Sequence, residues 1–390
     1  MKIVITGGHL TPALAVISKL KKLAPKYQIY FFGRKFAVEG DKATSFEYLE
    51  IKNLAIPFFE ITTGRLQRKL TTRTFATLAK ILPGFVQSFF LLKKIKPELV
   101  LTFGGYLALP VAIAAKILGI TVVAHEQSPN LGLANKIIFK FAALAGVSNR
   151  SLARKLSNKK IFFTGPLFRE EIFEKQPSSK KLAQFLKKLG NKRLIYITGG
   201  ATGSHFLNKT MALVLPQILK DNFVIHQTGN LGQSADFKKL EKKRKSLPKT
   251  LSEKYFLTEF VNSKDIGAVL NRADLVICRS GANTTSELGA LAKVLIVIPL
   301  EWGKEQKEIA FQLEKLEAGL ILPQENLTAN KILAAISEIF GKFKNFKNNA
   351  LNLEKEINSE GAEIFTRKIL ELSISSSPPA KAARVSLKYQ

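Results

Sequence analysis

The sequence predicts an α/β protein made of two doubly wound, parallel-sheet domains. Three observations carry that reading. Short apolar runs alternate with helical segments through most of the 390 residues. A glycine-rich turn, Thr6-Gly7-Gly8-His9, follows the first run, Lys2–Ile5. A second, Thr198-Gly199-Gly200-Ala201-Thr202-Gly203-Ser204, follows the run Leu194–Ile197 about half a chain later. Glycines there let the backbone turn tightly and approach a ligand, and the helix that follows offers N–H groups to an anion. Two such turns, each opening its own series of strands and helices, predict two domains facing one phosphorylated ligand.

In the first series the expected strands are Lys2–Ile5, Gln28–Phe32, Leu99–Phe103, Thr121–Ala124 and Lys160–Thr164. Each is short, apolar and flanked by Gly, Pro or polar residues, as strands buried on both faces should be. Helices are expected at Pro12–Leu23, Thr74–Ile95, Leu107–Leu118 and Gly132–Phe141. The second series holds strands at Arg193–Thr198, Phe223–Gln227, Tyr255–Leu257, Asp274–Cys278 and Val294–Pro299. These divisions place a first domain at 1–165 and a linker at 166–191, around the polar break Gln176-Pro177-Ser178-Ser179. A second domain at 192–342 and a charged helical region at 343–372 follow. The tail, 373–390, is rich in Ser and Pro and is expected to be disordered.

Composition narrows the function. An apolar fraction of 46% describes an ordinary globular chain. The single Cys278 excludes a disulfide framework within the chain, and no Cys/His cluster has metal-site spacing. The net charge of +30 predicts attraction to something anionic: nucleic acid, acidic lipid or a phosphorylated substrate. The lysines are spread over nearly every predicted helix, which describes solvated helix faces equally well. With no RNP, zinc-finger or helix-turn-helix pattern, nucleic acid is not an expected partner. Met1-Lys2-Ile3-Val4-Ile5 enters a strand without the pattern of a signal peptide, so a cytoplasmic chain is expected. The longest apolar stretch, 75–92, is broken by Lys80, Pro83-Gly84 and Gln87, which argues against a membrane span. Within it Phe75, Leu78, Leu82, Phe85, Phe89 and Leu92 recur at helical spacing, with Arg65, Arg68, Lys69, Arg73 and Lys80 before or among them. A face docked on an anionic bilayer and a helix packed on the sheet both account for that pattern.

Chemistry-bearing residues collect at strand ends, which line the crevice of a doubly wound sheet. His9 and His125 are site candidates on that ground. His226 fits a site or a structural role, and His205, one position into a helix, is expected to be incidental. The loop His125-Glu126-Gln127-Ser128-Pro129-Asn130 either holds its own backbone or binds a ligand, and its density of polar groups favours binding. In Asp274–Glu287 a strand ends at Cys278, small residues turn, and a helix begins near Ala282. Its N-terminus can take a phosphate, and a carboxylate such as Glu287 can accept both hydroxyls of a ribose. A dinucleotide dehydrogenase is disfavoured: neither turn reads G-x-G-x-x-G, and Gly33-Arg34-Lys35 stands where an acid should end the second strand.

At this point the residues match a family. The chain resembles MurG-type glycosyltransferases of glycosyltransferase family 28 from Met1 to about Leu372. The motifs are TGGHLTPALA (6–15), FGGY (103–106), HEQSPNLGLANK (125–136), TGPLFRE (164–170), TGGATGSHFLN (198–208), HQTG (226–229), CRSGANTTSELGALAK (278–293), PLEWGKEQ (299–306) and AGLILPQENLT (318–328). The resemblance implies a GT-B fold, two Rossmann-like domains with a cleft between them and a C-terminal helix returning to the first. It implies an inverting, metal-independent transferase without a cofactor. Such an enzyme moves N-acetylglucosamine from UDP-N-acetylglucosamine to the 4-hydroxyl of the N-acetylmuramoyl unit of lipid I, giving lipid II for peptidoglycan. Its expected place is peripheral, on the anionic cytoplasmic face of the cell membrane.

Residue by residue, the resemblance makes His9 the catalytic base, a task suited to an imidazole, and has Glu126 orient His125 or the acceptor. On the donor side Arg169, Gly200, Ala201, Thr202 and Gly203 meet the phosphates. Val261, following Phe260, touches uracil through its backbone. Ser280, Ala282, Asn283 and Thr284 lie along the nucleotide, Glu287 takes the ribose diol, and Glu305 and Gln306 lie in the sugar loop. On the acceptor side Thr6, Gly7, Gly8, Gly104, Gly105 and Tyr106 hold the pyrophosphate, with His125, Gln127 and Ser128 beside them.

The chain also departs from the family pattern. Two glycines are missing before Thr6, and Ser128 replaces Asn. Ala201-Thr202 replaces Ser-Gln, and Pro166-Leu167 replaces Asn-Pro. Glu305 stands for His or Gln, and Ile309 for Asn. These changes shorten the acceptor cradle and alter the sugar loop. They keep two rival readings in view. One is a related lipid glycosyltransferase using another UDP-hexose and a diacylglycerol or polyprenyl acceptor. The other is a catalytically idle nucleotide-sugar or nucleic-acid binding protein.

Overall fold

A computed structural model describes residues 1–36, 44–62, 72–229 and 235–375, with backbone alone for 72–81, 304 and 373–375. The first domain runs β1 (Lys2–Thr6), α1 (Leu10–Leu23), β2 (Gln28–Gly33), α2 (Phe46–Asn53), β3 (Phe58–Glu60), α3 (Thr72–Ile95) and β4 (Leu99–Thr102). It continues through α4 (Ala108–Ile117), β5 (Thr121–Glu126), α5 (Leu133–Phe141), β6 (Leu144–Val147), α6 (Arg150–Leu156) and β7 (Ile161–Phe163). Its strands form one parallel sheet in the order β3-β2-β1-β4-β5-β6-β7.

The second domain begins with α7 (Lys180–Leu189), then β8 (Leu194–Thr198), α8 (His205–Asp221), β9 (Phe223–Gln227), α9 (Ala235–Ser246), α10 (Lys249–Ser252) and β10 (Tyr255–Thr258). It closes with α11 (Ser263–Arg272), β11 (Leu275–Cys278), α12 (Ala282–Ala290), β12 (Val294–Val297), α13 (Lys304–Lys315), β13 (Gly319–Ile321) and α14 (Ala329–Gly341). Its parallel sheet has the order β10-β9-β8-β11-β12-β13. The central strands β8, β9, β11 and β12 are buried along their whole length, which is why they read as unbroken apolar runs.

Strand order explains the placing of the two glycine turns. In each sheet the order reverses beside the first strand of the domain, between β1 and β4 and between β8 and β11. Neighbouring loops leave in opposite directions at such a switch point and open a crevice at the carboxyl ends. The turn after β1 and the turn after β8 both sit at those crevices.

Three strands fall outside the sequence expectation: β3, β6 and β13, of three or four residues each. Residues 166–191, expected as a linker, contain α7, whose Leu182, Phe185 and Leu189 are buried in the core of the second sheet. The expected helical region at 343–372 is two helices, α15 (Phe343–Glu356) and α16 (Gly361–Ser375). α15 lies on α12 in the second domain, whereas α16 lies on α1 and sends Ala362, Phe365 and Ile369 into the first core. The two crossings between domains run side by side: the Asn358 amide donates to the Thr164 carbonyl, and a Cβ on Gly361 would strike the Pro166 carbonyl.

α3 divides its apolar residues between two faces. Phe85, Phe89 and Leu92 pack on the first sheet, while Leu82 (64% exposed), Val86 (43%) and Phe90 (64%) face solvent. Arg65, Arg68, Lys69 and the side chains of Arg73, Phe75, Leu78 and Lys80 lie outside the described residues. Among those described, no helix is long and apolar enough to cross a membrane.

Candidate functional site

The turn after β1 is held from within. Gly7 N–H donates to the Phe32 carbonyl at 2.7 Å, and Gly8 N–H donates to Glu47 Oε2 of α2 at 2.9 Å. The other Glu47 oxygen accepts from Arg34 N–H at 2.9 Å, and a Cβ on Gly7 would run into that carboxylate. Removal from solvent pushes the Glu47 carboxyl above its ordinary value, and the two N–H groups pull the other way. Gly8, at φ +106°, also meets the backbone of Gly104 and Gly105, so the two glycine loops touch main chain to main chain. The acceptor cradle expected at Gly7-Gly8 therefore has an internal carboxyl group on Gly8 N–H. Thr6 is fully buried, and its hydroxyl has no hydrogen-bond partner among the described residues. Tyr106 lies aside, with the Arg34 guanidinium 4.9 Å from its ring centre. His9 occupies the N-cap position of α1, and its side chain makes no capping bond there. It turns to a cavity of ≈ 620 Å³ between the domains, a volume suited to a small-molecule ligand.

The turn after β8 forms the opposite wall. Gly200 N–H donates to Thr198 Oγ1 at 3.0 Å and Gly203 N–H to the Gly200 carbonyl at 3.1 Å. Gly203, at φ +80°, packs so closely on Thr228 and Gly229 that no Cβ fits. Ser204 caps α8, and its hydroxyl receives Arg279 Nη2 at 2.8 Å. Arg279 donates as well to the Ile298 and Pro299 carbonyls. Its guanidinium thus stands fixed beside the turn and lines the same cavity as His9. Ala282, Asn283, Thr284, Glu305 and Gln306 line it too. Asn283 Oδ1 and Gln324 Oε1, both at this cavity, are buried without partners among the described residues, which leaves polar capacity for a ligand.

A smaller cavity of ≈ 120 Å³ adjoins it, sharing Thr198, Gly200 and Thr284 as walls. Here Arg169 and Glu287 meet each other: Nε to Oε1 at 3.0 Å and Nη2 to Oε2 at 3.1 Å, both side chains about 10% exposed. Val261 is present, but its N–H donates to Gln227 Oε1 at 3.0 Å, and a base using that N–H must displace the amide. Gln227 also receives Tyr196 OH and donates to the Gly200 carbonyl, tying this cavity to the second turn.

Three expected site residues, His125, Glu126 and Ser280, line neither cavity. His125 is fully buried; its Nε2 pairs with Thr164 Oγ1 at 2.9 Å, and its ring packs edge-on to Phe365 at 5.0 Å. It lines neither of the two cavities described above. The Glu126 carboxylate accepts from Ser128 N–H, Gly132 N–H and the Asn135 amide, so it shapes its own loop and has no spare geometry for catalysis. Ser280 is fully buried, its hydroxyl spent on the Gln306 carbonyl at 2.8 Å. Gln127 lines the large cavity, but its Oε1 is engaged by Leu167 N–H. Ser128 donates across the cleft to Glu305 Oε1 at 2.7 Å, and Asn130 to Glu308 at 2.5 Å. The sugar loop is thus tied to the first domain.

Arg279, Gln227 and Tyr196 were not among the expected residues. A signal for Gln227 exists: it is the last residue of β9, the same kind of position that marked His125.

Burial pushes the imidazoles of His125 and His226 down to about 3. His226 is held by Tyr255 OH and Asn208 Oδ1, both at 3.0 Å. In the unfolded chain each would titrate near 6.5, so between those values the unfolded state binds the protons. Their contribution is whole above about pH 6.5 and is lost as pH falls, each adding up to about 1.4 kcal/mol per pH unit. Urea titrations between pH 6.5 and 5 should show stability falling in this way. His226→Gln should remove about half of the histidine-linked slope.

The glycosyltransferase family 28 N-terminal domain matches residues 4–147, and the family 28 C-terminal domain matches 194–364. A relative from Borrelia hermsii is 30% identical over 369 residues, 94% of each chain. One from Clostridium perfringens (strain SM101) is 32% identical over 346 residues, 87% of this chain and 90% of its own. Both bear the name UDP-N-acetylglucosamine--N-acetylmuramyl-(pentapeptide) pyrophosphoryl-undecaprenol N-acetylglucosamine transferase. Among solved structures, MurG of Acinetobacter baumannii superposes with a TM-score of 0.61 at 22% identity, over 95% of this chain and 100% of its own. That likeness bears on the fold, and the fold is GT-B: two Rossmann-like parallel-sheet domains around a cleft.

Proposed function

The chain belongs to the MurG family of glycosyltransferase family 28, and from that membership we propose that it glycosylates lipid I. N-acetylglucosamine passes from UDP-N-acetylglucosamine to the 4-hydroxyl of the N-acetylmuramoyl unit, and lipid II forms. The observation that carries this reading is one cavity with His9 from the first turn on one wall and Gly199, Gly200, Thr202, Gly203, Arg279 and Asn283 on the other. The hydroxyl oxygen bonds the anomeric carbon as the bond from that carbon to UDP breaks. Its proton goes to the His9 imidazole, and UDP leaves with the electron pair, which inverts the anomeric centre. The fixed Arg279 guanidinium and the N-terminus of α12 face the charge that grows on the diphosphate.

The acceptor's lipid requires access to a bilayer. Leu82, Val86 and Phe90, four residues apart on the outer face of α3, supply an apolar edge that can enter the headgroup boundary. With the chain's net charge of +30, the enzyme is read as peripheral on the anionic cytoplasmic face.

The test is UDP release by purified chain with UDP-N-acetylglucosamine and lipid I in anionic vesicles, set against a panel of other UDP-hexoses and diacylglycerol. Release with the first pair is expected. Release only from another donor or acceptor would transfer the assignment to a related lipid glycosyltransferase. Sedimentation with the same vesicles should fall several-fold in a Leu82→Glu, Phe90→Glu double variant.

A further inference from the structure

We propose that Phe46, a first-domain residue, forms the outer wall of the pocket for the donor's nucleotide base. The proposal rests on reading the cleft as the donor site. The smaller cavity draws most of its polar groups, among them Gln227, Tyr196, Arg169 and Glu287, from β8 onward and from the crossing just before it, with Thr11 added from α1. Its floor is apolar, with Val261, Ile266 and Leu288. A planar base resting on that floor needs a second face, and aromatic carbon is the surface best suited to cover it. Phe46 is the one aromatic ring that the first domain contributes to the lining, beside Leu10 and Thr11.

The ring of Phe46 is already set for that task. It stacks on Phe260 with ring centres 5.0 Å apart and planes 20° from parallel, and Phe260 directly precedes Val261. One turn along α2, Glu50 accepts the hydroxyl of Ser263, so positions 46 and 50 bind the second domain from one helix face. Between them Glu47 holds Gly8 N–H, next to His9. α2 therefore joins the base pocket to the turn that carries His9, and a donor seated against Phe46 is registered against that turn.

Binding of UDP and of inorganic pyrophosphate, measured by calorimetry, separates this role from general domain docking. Phe46→Ala should weaken UDP about 5- to 150-fold, the range for loss of an aromatic face from a base, and leave pyrophosphate unchanged. The KM for UDP-N-acetylglucosamine should rise with it, and Phe46→Tyr should restore UDP binding. Ser263→Ala, which breaks the other α2 contact away from the cavity, should bind UDP as the parent does. UDP affinity within twofold of the parent in Phe46→Ala overturns the proposal, as does an equal loss in Ser263→Ala. Parent protein that does not bind UDP overturns the donor reading, and the wall with it.

Discussion

His9→Ala is expected to lower turnover by about 10²- to 10⁴-fold, the range for loss of a general base, while UDP affinity stays within about twofold. Its position argues for that split. His9 sits where the first glycine turn enters α1, and its side chain makes no capping bond that would hold the imidazole on the backbone. It lines the same cavity as the second turn. The neighbouring candidates are otherwise engaged: His125 is sealed in the first core, and the Glu126 carboxylate already accepts three hydrogen bonds, two from its own loop and one from Asn135 of α5. Steady-state kinetics with UDP-N-acetylglucosamine and lipid I, beside calorimetry with UDP, measure the two quantities separately. Turnover within tenfold of the parent would remove the imidazole from the chemistry.

What sequence could reveal here follows from range. The glycine turns were legible because tight-turn chemistry is local, and the central strands because burial on both faces leaves unbroken apolar runs. β3, β6 and β13 were not, since three or four residues carry no period. His125 shows a different limit. Successive side chains on β5 point to opposite faces, so a strand-end position does not say which way the imidazole turns. It turns toward Phe365, and that contact exists only because α16 returns across the domain boundary 240 residues later in the chain. The same holds for Glu47: nothing near Phe46-Glu47 in sequence announces that its carboxylate would seat against Gly7 and Gly8, 39 residues away. Turn and strand-end positions are local features of the sequence, whereas the assignment of each side chain to ligand or scaffold required tertiary contacts.

Glu287→Ala is expected to destabilise the chain by about 3–5 kcal/mol, because it strands the buried Arg169 guanidinium without its partner. Arg169→Met should cost a similar amount for the converse reason. The two residues were each expected to face the donor, one at its phosphates and one at its ribose, yet the structure spends both on each other. Stability and donor binding can be separated by changing both together. A double variant, Arg169→Met with Glu287→Leu, replaces the ion pair by apolar side chains, a change that is neutral or stabilising at many buried pairs. Its urea midpoint should return to that of the parent. UDP affinity should not return, since a ribose diol needs the carboxylate and a diphosphate gains from the guanidinium. A double variant that folds and binds UDP as the parent does would make the pair a strut between the inter-domain crossing before α7 and α12, and assign the ribose to other groups. One that folds and has lost UDP would mean that donor binding requires the pair to reopen, with Glu287 exchanging Arg169 for the sugar hydroxyls as the nucleotide enters.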